Sequence, residues 1–200
     1  MKGPTPRGAS LGRDDWLAAA RAALVERGVD HVKVDALARA LGVTGGSFYW
    51  HYRDRADLLA ALLDDWRTRN DAPWFAAVAA AGDDPYAQFD ALVDLWIDEK
   101  TFSAAYDSAV RDWARTSPDV EAAVRDADAR RTALIASIFR GFGYDDDRAF
   151  VRARIAYFHQ VGYYTLRIVE TRAARRRLKA LYYEGLLGAD VARRARKAGA

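Results

Sequence analysis

Between Asp14 and Leu187 the apolar residues recur at steps of three and four, and no stretch alternates apolar with polar as a half-buried strand would. That periodicity confines the chain to helices. One stripe runs Trp16, Leu17, Ala20, Ala23 and Leu24; a second runs Val34, Leu37, Ala38 and Leu41; a third runs Leu58, Leu59, Leu62, Leu63 and Trp66. The punctuation agrees with the stripes. Asp14 and Asp15 favour a helix start, Gly28 suits a helix end, and Gly42 stops the second stripe. Asp54, with Asp57 three residues on, reads as an N-cap with a capping box. Asn70-Asp71-Ala72-Pro73 breaks or kinks the helix that this cap opens. Asp84-Pro85 and Ser117-Pro118 each pair a cap with a proline at the first helical position. They open helices from residue 85 to about 100 and from 118 to Gly141, with a shorter helix over about 104–115 between them. The last two helices are expected over 146–170 and 173–187. The predicted fold class is all-α, and with 51% apolar residues the chain can build a full core.

Charge divides the chain more sharply than its net +3 implies. Residues 1–55 carry nine Lys/Arg against six Asp/Glu, residues 56–171 carry 13 against 20, and residues 172–200 carry nine against two. A basic N-terminal segment beside an acidic middle fits a small polyanion-binding head on a body that does not bind polyanions. The expected organisation is a basic arm over 1–11, a DNA-binding domain over 12–56, a larger helical domain over 57–190 and a loose basic tail over 191–200. Cysteine is absent, which removes disulfides, thiolate catalysis and cysteine-ligated zinc and fits a reducing cytoplasm. The opening MKGPTPRGAS has no apolar stretch, so no signal peptide is expected, and no apolar run reaches the roughly 20 residues that span a bilayer. The three histidines, His31, His51 and His159, are too scattered to predict a metal site, and no cofactor motif occurs.

The stretch GVTGGSFYWHY, residues 42–52, sets two glycines before a run of five rings. A short helix over 45–51 cannot bury all of them on one face. Phe48 and Tyr52, four apart, are expected to pack inward against Leu37 and Leu41, while Tyr49, Trp50 and His51 splay outward. Thr44 is placed to cap the helix or meet a phosphate, and Gly45 and Gly46 leave the backbone open to close approach. An outward aromatic cluster also fits a protein–protein patch. Helix, helix, glycine turn and short helix in succession form a helix-turn-helix.

The segment ERGVDHVKVDALARALGVTGGSFYWHYRDRADLLAALL resembles the DNA-binding head of the TetR family of bacterial repressors, over roughly residues 14–65. The resemblance implies that Tyr49 and His51 hold backbone phosphates and that Ser47 and Trp50 face the major groove. It also implies that Arg55 replaces the family's phosphate-binding lysine and that Lys33 adds a backbone contact. It further implies a C-terminal ligand and dimerisation domain. One departure stands out: Val32-Lys33 occupies the place where the family usually carries a capping Thr or Ser, leaving Asp35 to support the helix through its dipole.

In the larger domain, aromatic richness supports an apolar pocket, with Phe89, Trp96, Tyr106, Trp113, His159 and Tyr163 as candidates. For each of them plain core is the competing reading, and His159 in particular reads as a satisfied core histidine. The dimer face is expected on the last two helices, through Val151, Ile155, Gly162, Leu166, Val169, Leu178, Leu181 and Tyr182. Arg175-Arg176-Arg177 reads as a solvated face. The expected function is a homodimeric repressor that binds a palindromic site on double-stranded DNA and is released by a small hydrophobic effector. Two alternatives differ in class. One is a DNA-binding protein of the same fold with no effector. The other is an enzyme using the aromatic pocket, which lacks a nucleophile elbow, a phosphate loop or paired carboxylates.

Overall fold

The computed structural model describes residues 11–188 and 191. The arm expected over 1–11 and the tail expected over 191–200 therefore lie, apart from Leu11 and Val191, outside the described residues. The described chain is helical, without a strand, and divides into two compact units between Asp65 and Trp66.

The first unit holds α1 (Arg13–Arg27), a 3₁₀ turn (Val29–His31), α2 (Val34–Leu41), a 3₁₀ helix (Gly45–Trp50) and α3 (Arg55–Trp66) up to Asp65. Local chemistry sets each boundary. The Asp15 carboxylate accepts from the Gly12 N–H at 2.7 Å and closes the start of α1. Gly42 takes the left-handed conformation, φ 70°, that lets its own N–H and that of Val43 turn back onto the carbonyls of Arg39 and Ala38. At the start of α3 the Asp54 carboxylate accepts from the Asp57 N–H at 2.8 Å, and Asp57 reaches back to the Arg53 N–H at 3.0 Å. The predicted capping box is thus present, displaced by one residue on its return arm. Trp16, Leu24, Val32, Leu37, Phe48, Leu58 and Leu62 are all buried. This compact unit extends past residue 56 to Asp65, and α3 is bound to the elements before it: Arg55 reaches the carbonyls of Val29 and Val32, and Asp65 pairs with Arg21 at 2.7 Å.

The second unit begins with a π turn (Arg67–Asp71) and continues through α4 (Ala72–Ala80), α5 (Pro85–Asp98), α6 (Ala104–Ala114), α7 (Pro118–Gly141), α8 (Asp146–Thr165) and α9 (Arg172–Leu187). The break expected at Asn70-Asp71-Ala72-Pro73 is a widened turn instead. Pro73 falls in the first turn of α4, where its missing N–H costs no bond. α7 and α8 pack along their length, and Trp74, Phe89, Trp96, Phe102, Phe139 and Tyr157 fill the core between the helices.

Beside that apolar core lies a buried charge cluster. Arg131, 1% exposed, donates to the carboxylates of Asp71 at 3.0 Å and Asp107 at 3.1 Å and to the carbonyl of Asn70 at 3.0 Å. Its guanidinium also sits over the rings of Trp66 and Trp74. Arg111 links the other oxygen of Asp107, at 2.9 Å, to both oxygens of Asp128 and to the Tyr157 hydroxyl. Burial pushes the Asp107 carboxyl up, but the guanidiniums of Arg131 and Arg111 overcome it and hold the group below the usual carboxylate range. The side chain of Asn70, also buried, donates to the carbonyl of Ser103 at 2.6 Å. These bonds satisfy polar groups of the π turn and lock it to α6 and α7.

α8 is shorter than the 146–170 expected. Arg167 adopts a left-handed φ of 51°, and the N–H groups of Arg167 and Ile168 close back onto Tyr164 and Tyr163. Leu166 and Val169, expected on the face of that helix, therefore stand beyond its end, Val169 almost fully exposed. Leu178 is half-buried on α9, and the space beside Gly162 is open among the described residues.

Candidate nucleic-acid interface and ligand cavity

In the first unit, Phe48 and Tyr52 are buried as anchors, in stacked rings 5.6 Å apart, with Trp16 edge-on to Phe48 at 5.2 Å. Leu37 is buried as expected, while Leu41 is only half covered. Tyr49 and Trp50 project outward, 65% and 87% exposed. The anchoring is reinforced by Arg13, which sequence reasoning does not single out. Its guanidinium lies 4.1 Å from the centre of the Tyr52 ring and donates to the His51 carbonyl at 2.7 Å, while the Tyr52 hydroxyl donates to the Arg13 carbonyl. No sequence signal marks this pair, because 38 residues separate Arg13 from His51.

The short helix expected over 45–51 is present as a 3₁₀ helix over Gly45–Trp50. Thr44 is exposed and makes no capping bond, so the start is held by the Ser47 N–H on the Thr44 carbonyl, an i to i+3 bond. Gly45 and Gly46 do not have positive φ, and a methyl group at either would meet only ordinary contacts, with Asp35 at 3.5 Å and Thr44 at 3.8 Å. The fold does not require glycine at these two positions. Asp35 beside Gly45 brings the start of α2 against the start of the 3₁₀ helix. Lys33, at the N-cap of α2 without a side-chain cap, is exposed, Ser47 is half-buried, and His51 is half-buried with its carbonyl occupied by Arg13.

Arg55, expected at the phosphates, is engaged by backbone carbonyls of its own unit. Its Nε donates to the Val32 carbonyl at 2.6 Å and its Nη2 to the Val29 carbonyl at 2.8 Å, so the guanidinium staples α3 to the 3₁₀ turn. Arg55→Ala is expected to lower the stability of the first unit by about 1.5–3 kcal/mol, the usual worth of bonds to a charged donor. The salt slope of any nucleic-acid binding should stay the same. Equilibrium unfolding and a salt titration check both, and a slope reduced by about one with stability intact would return Arg55 to the phosphate contacts.

In the second unit, a cavity of about 50 Å³ lies between α5, α8 and α9. Trp96, His159 and Tyr163 of the expected pocket line it, together with Gln160, Arg175, Tyr182 and others. Phe89, Tyr106 and Trp113 do not. Phe89 packs among Phe139, Phe142 and Tyr183, and Tyr106 and Trp113 are buried on α6. Apolar period marks such residues as buried without distinguishing core from cavity wall. His159 is not a core residue: it is exposed, and its ring lies tilted against Tyr182 with ring centres 5.0 Å apart. Arg175, read from sequence as part of a solvated run, has its guanidinium 4.5 Å from the centre of the Tyr163 ring.

An apolar stripe is left uncovered on α8. Phe150, Val151, Ile155 and Phe158 are each about half exposed, and Arg154 lies over both phenylalanines. Leu181 and Tyr182 on α9 are exposed as well. No helix among the described residues is long and apolar enough to cross a membrane.

Residues 17–62 match the family of bacterial regulatory proteins described as the tetR family. Over 59 residues, 30% of this chain, the sequence is 37% identical to the HTH-type transcriptional regulator TtgR of Pseudomonas putida. It is equally similar to the probable HTH-type transcriptional regulator ArpR, also of Pseudomonas putida. The match spans 28% of the length of each of these curated relatives. Among solved structures, the reduced form of Escherichia coli NemR is similar at a TM-score of 0.61 and 15% identity, over 90% of this chain and 94% of that one. The ketosteroid transcriptional regulator KstR2 of Mycobacterium tuberculosis is similar at 0.62 and 19% identity, over 90% and 96%. The fatty acid degradation regulator FadR of Bacillus halodurans is similar at 0.63 and 17%, over 91% and 97%. At these identities the likeness is one of fold: an N-terminal helix-turn-helix followed by a helical domain.

Proposed function

We propose that the chain, whose residues 17–62 match the tetR family of bacterial regulatory proteins, is a DNA-binding transcriptional repressor that acts as a homodimer and is released from its operator by a small, mainly apolar effector. The observation that carries the reading is the pairing of two glycines that the fold does not need with two rings that it does not bury. A surface that keeps Trp50 almost fully in water, next to backbone left bare at Gly45 and Gly46, is suited to a partner that approaches closely. Lys33, Thr44, Ser47, Tyr49 and His51 supply donors for phosphates around it, and Trp50 and Ser47 face the bases. Because Arg55 is engaged inside the fold, the charge for this contact comes from elsewhere, with exposed Lys33 and Arg53 as candidates.

The uncovered stripe of Phe150, Val151, Ile155 and Phe158, with Leu181 and Tyr182, supports self-association, since apolar area of this kind is rarely left in water. A dimer places two recognition segments in successive major grooves, roughly 34–36 Å apart. The cavity in the second unit supports an effector, whose differential affinity for two states would shift the population between bound and released forms.

Selection of binding sites from a random duplex library tests the proposal. The expected product is an inverted repeat with half-site centres about one helical turn apart, bound with a steep salt dependence. Failure to enrich any sequence over non-specific duplex would remove it.

A further inference from the structure

We propose that the cavity between α5, α8 and α9 is a receptor for the head group of an aromatic carboxylate. The inference rests on the effector reading above and gives that effector a chemistry. Two of the residues lining the cavity, Trp96 and Gln160, are only 3% and 4% exposed, yet the indole Nε1 of one and the amide Nε2 of the other have no hydrogen-bond partner. Trp16 and Trp74 also carry unpartnered indole N–H groups, but neither lines this cavity. A buried donor without a partner forfeits its bond to water, so two of them on one cavity define a site that is stabilised by an acceptor. Both are donors, and the complementary group is an oxygen with lone pairs to share.

Charge selects which oxygen. Two cations line the cavity, Lys179 and Arg175. Lys179 is already neutralised by Asp90 at 2.7 Å and Asp94 at 2.8 Å. Arg175, with its side chain 11% exposed, reaches Glu99 only at the long distance of 3.5 Å. The lining carboxylate of Glu170 accepts from the Tyr163 hydroxyl at 3.1 Å. Arg175, which lies over the Tyr163 ring and near the Tyr164 hydroxyl, is thus the lining cation without a close carboxylate, which favours a carboxylate over a neutral carbonyl. The volume and the rings select the remainder. A cavity of about 50 Å³ has room for a small polar head group. The ligand's body then lies along Tyr163, His159 and Tyr182, flat surfaces that match a planar ring.

Calorimetric titration of the full chain with benzoate, hexanoate and ethylbenzene tests the site. Benzoate should bind saturably, and the other two at least several-fold more weakly. Trp96→Phe, which keeps a ring and removes the N–H, and Gln160→Leu should each weaken benzoate about tenfold. Gln160→Leu removes an unpartnered donor and should not lower the thermal midpoint of the ligand-free protein, whereas Trp96→Phe also removes core volume beside Trp74 and should lower it, so its affinity is read well below that midpoint. No benzoate binding, equal binding by ethylbenzene or hexanoate, or full benzoate affinity in both variants would overturn the proposal. DNA selection distinguishes this failure from that of the wider reading. Benzoate binding by a chain that selects no duplex leaves the site and removes the regulator, and the reverse result does the opposite.

Discussion

Arg131→Ala is expected to cost the second unit about 3–5 kcal/mol, because it leaves the buried carboxylates of Asp71 and Asp107 without their shared counter-charge. That is a large part of the roughly 5–15 kcal/mol that holds a domain together. It should appear as a fall in thermal midpoint of ~10 °C. The loss has a pH signature. In the wild type the Asp107 carboxyl sits below its usual range, so its contribution to stability is present above that range and is lost as pH falls through the lowered value. In the variant the pull of Arg131 is gone and Arg111 alone opposes burial, so the carboxyl sits higher than in the wild type. The difference between the two proteins should therefore be greatest near neutral pH and should shrink below about pH 4, where the carboxylates protonate in either unfolded chain. Unfolding curves at both pH values decide the matter. A difference that is constant with pH would mean that Arg131 acts through its packing against Trp66 and Trp74 and not through charge.

Trp50→Ala is expected to weaken operator binding about 5–150-fold, the range for loss of a base contact worth about 1–3 kcal/mol, while changing stability by no more than about 0.5 kcal/mol. The two halves follow from one fact: the side chain is 87% exposed in the free protein. Its ring makes none of the contacts that Phe48 and Tyr52 make with the core, so the fold has little to lose. Repeating the site selection with the variant separates base reading from mere adhesion. A changed preferred sequence assigns Trp50 to the bases, and a uniform loss across all sequences assigns it to sugar and phosphate.

The head is legible in the sequence because its determinants are local. Gly42, Asp54, Asp57 and the Phe48/Tyr52 spacing act within a few residues of their effect, and each helix of that unit begins or ends within a residue or so of where those signals put it. What sequence does not supply is pairing at a distance. The roles of Arg13 and Arg55 are set by carbonyls of His51, Val29 and Val32 that no periodicity reveals. The π turn escapes sequence rules for the same reason. Asn-Asp-Ala-Pro is a breaker by composition, and only the bonds from Arg131 and to Ser103 make a continuous, widened turn tolerable there. In the body, Trp96, Phe89 and Trp113 carry the same helical spacing signal, and which of them faces a cavity depends on how α5, α8 and α9 pack. Periodicity overruns the end of α8 because Arg167 occupies a left-handed position that sequence rules reserve for glycine or asparagine.

The burial of the indoles equips the protein with an optical reporter. Of its six tryptophans, Trp16, Trp66, Trp74, Trp96 and Trp113 are at most 7% exposed, and Trp50 alone stands in solvent. A polar quencher such as acrylamide should therefore act first on Trp50, against a shielded background from the other five. The emission of the unlabelled protein then divides by environment into a red-shifted component from the exposed aromatic segment and a blue component from the two cores. Loss of quenching on adding duplex would report occupancy of that segment directly, without a dye, a tag or a second mutation.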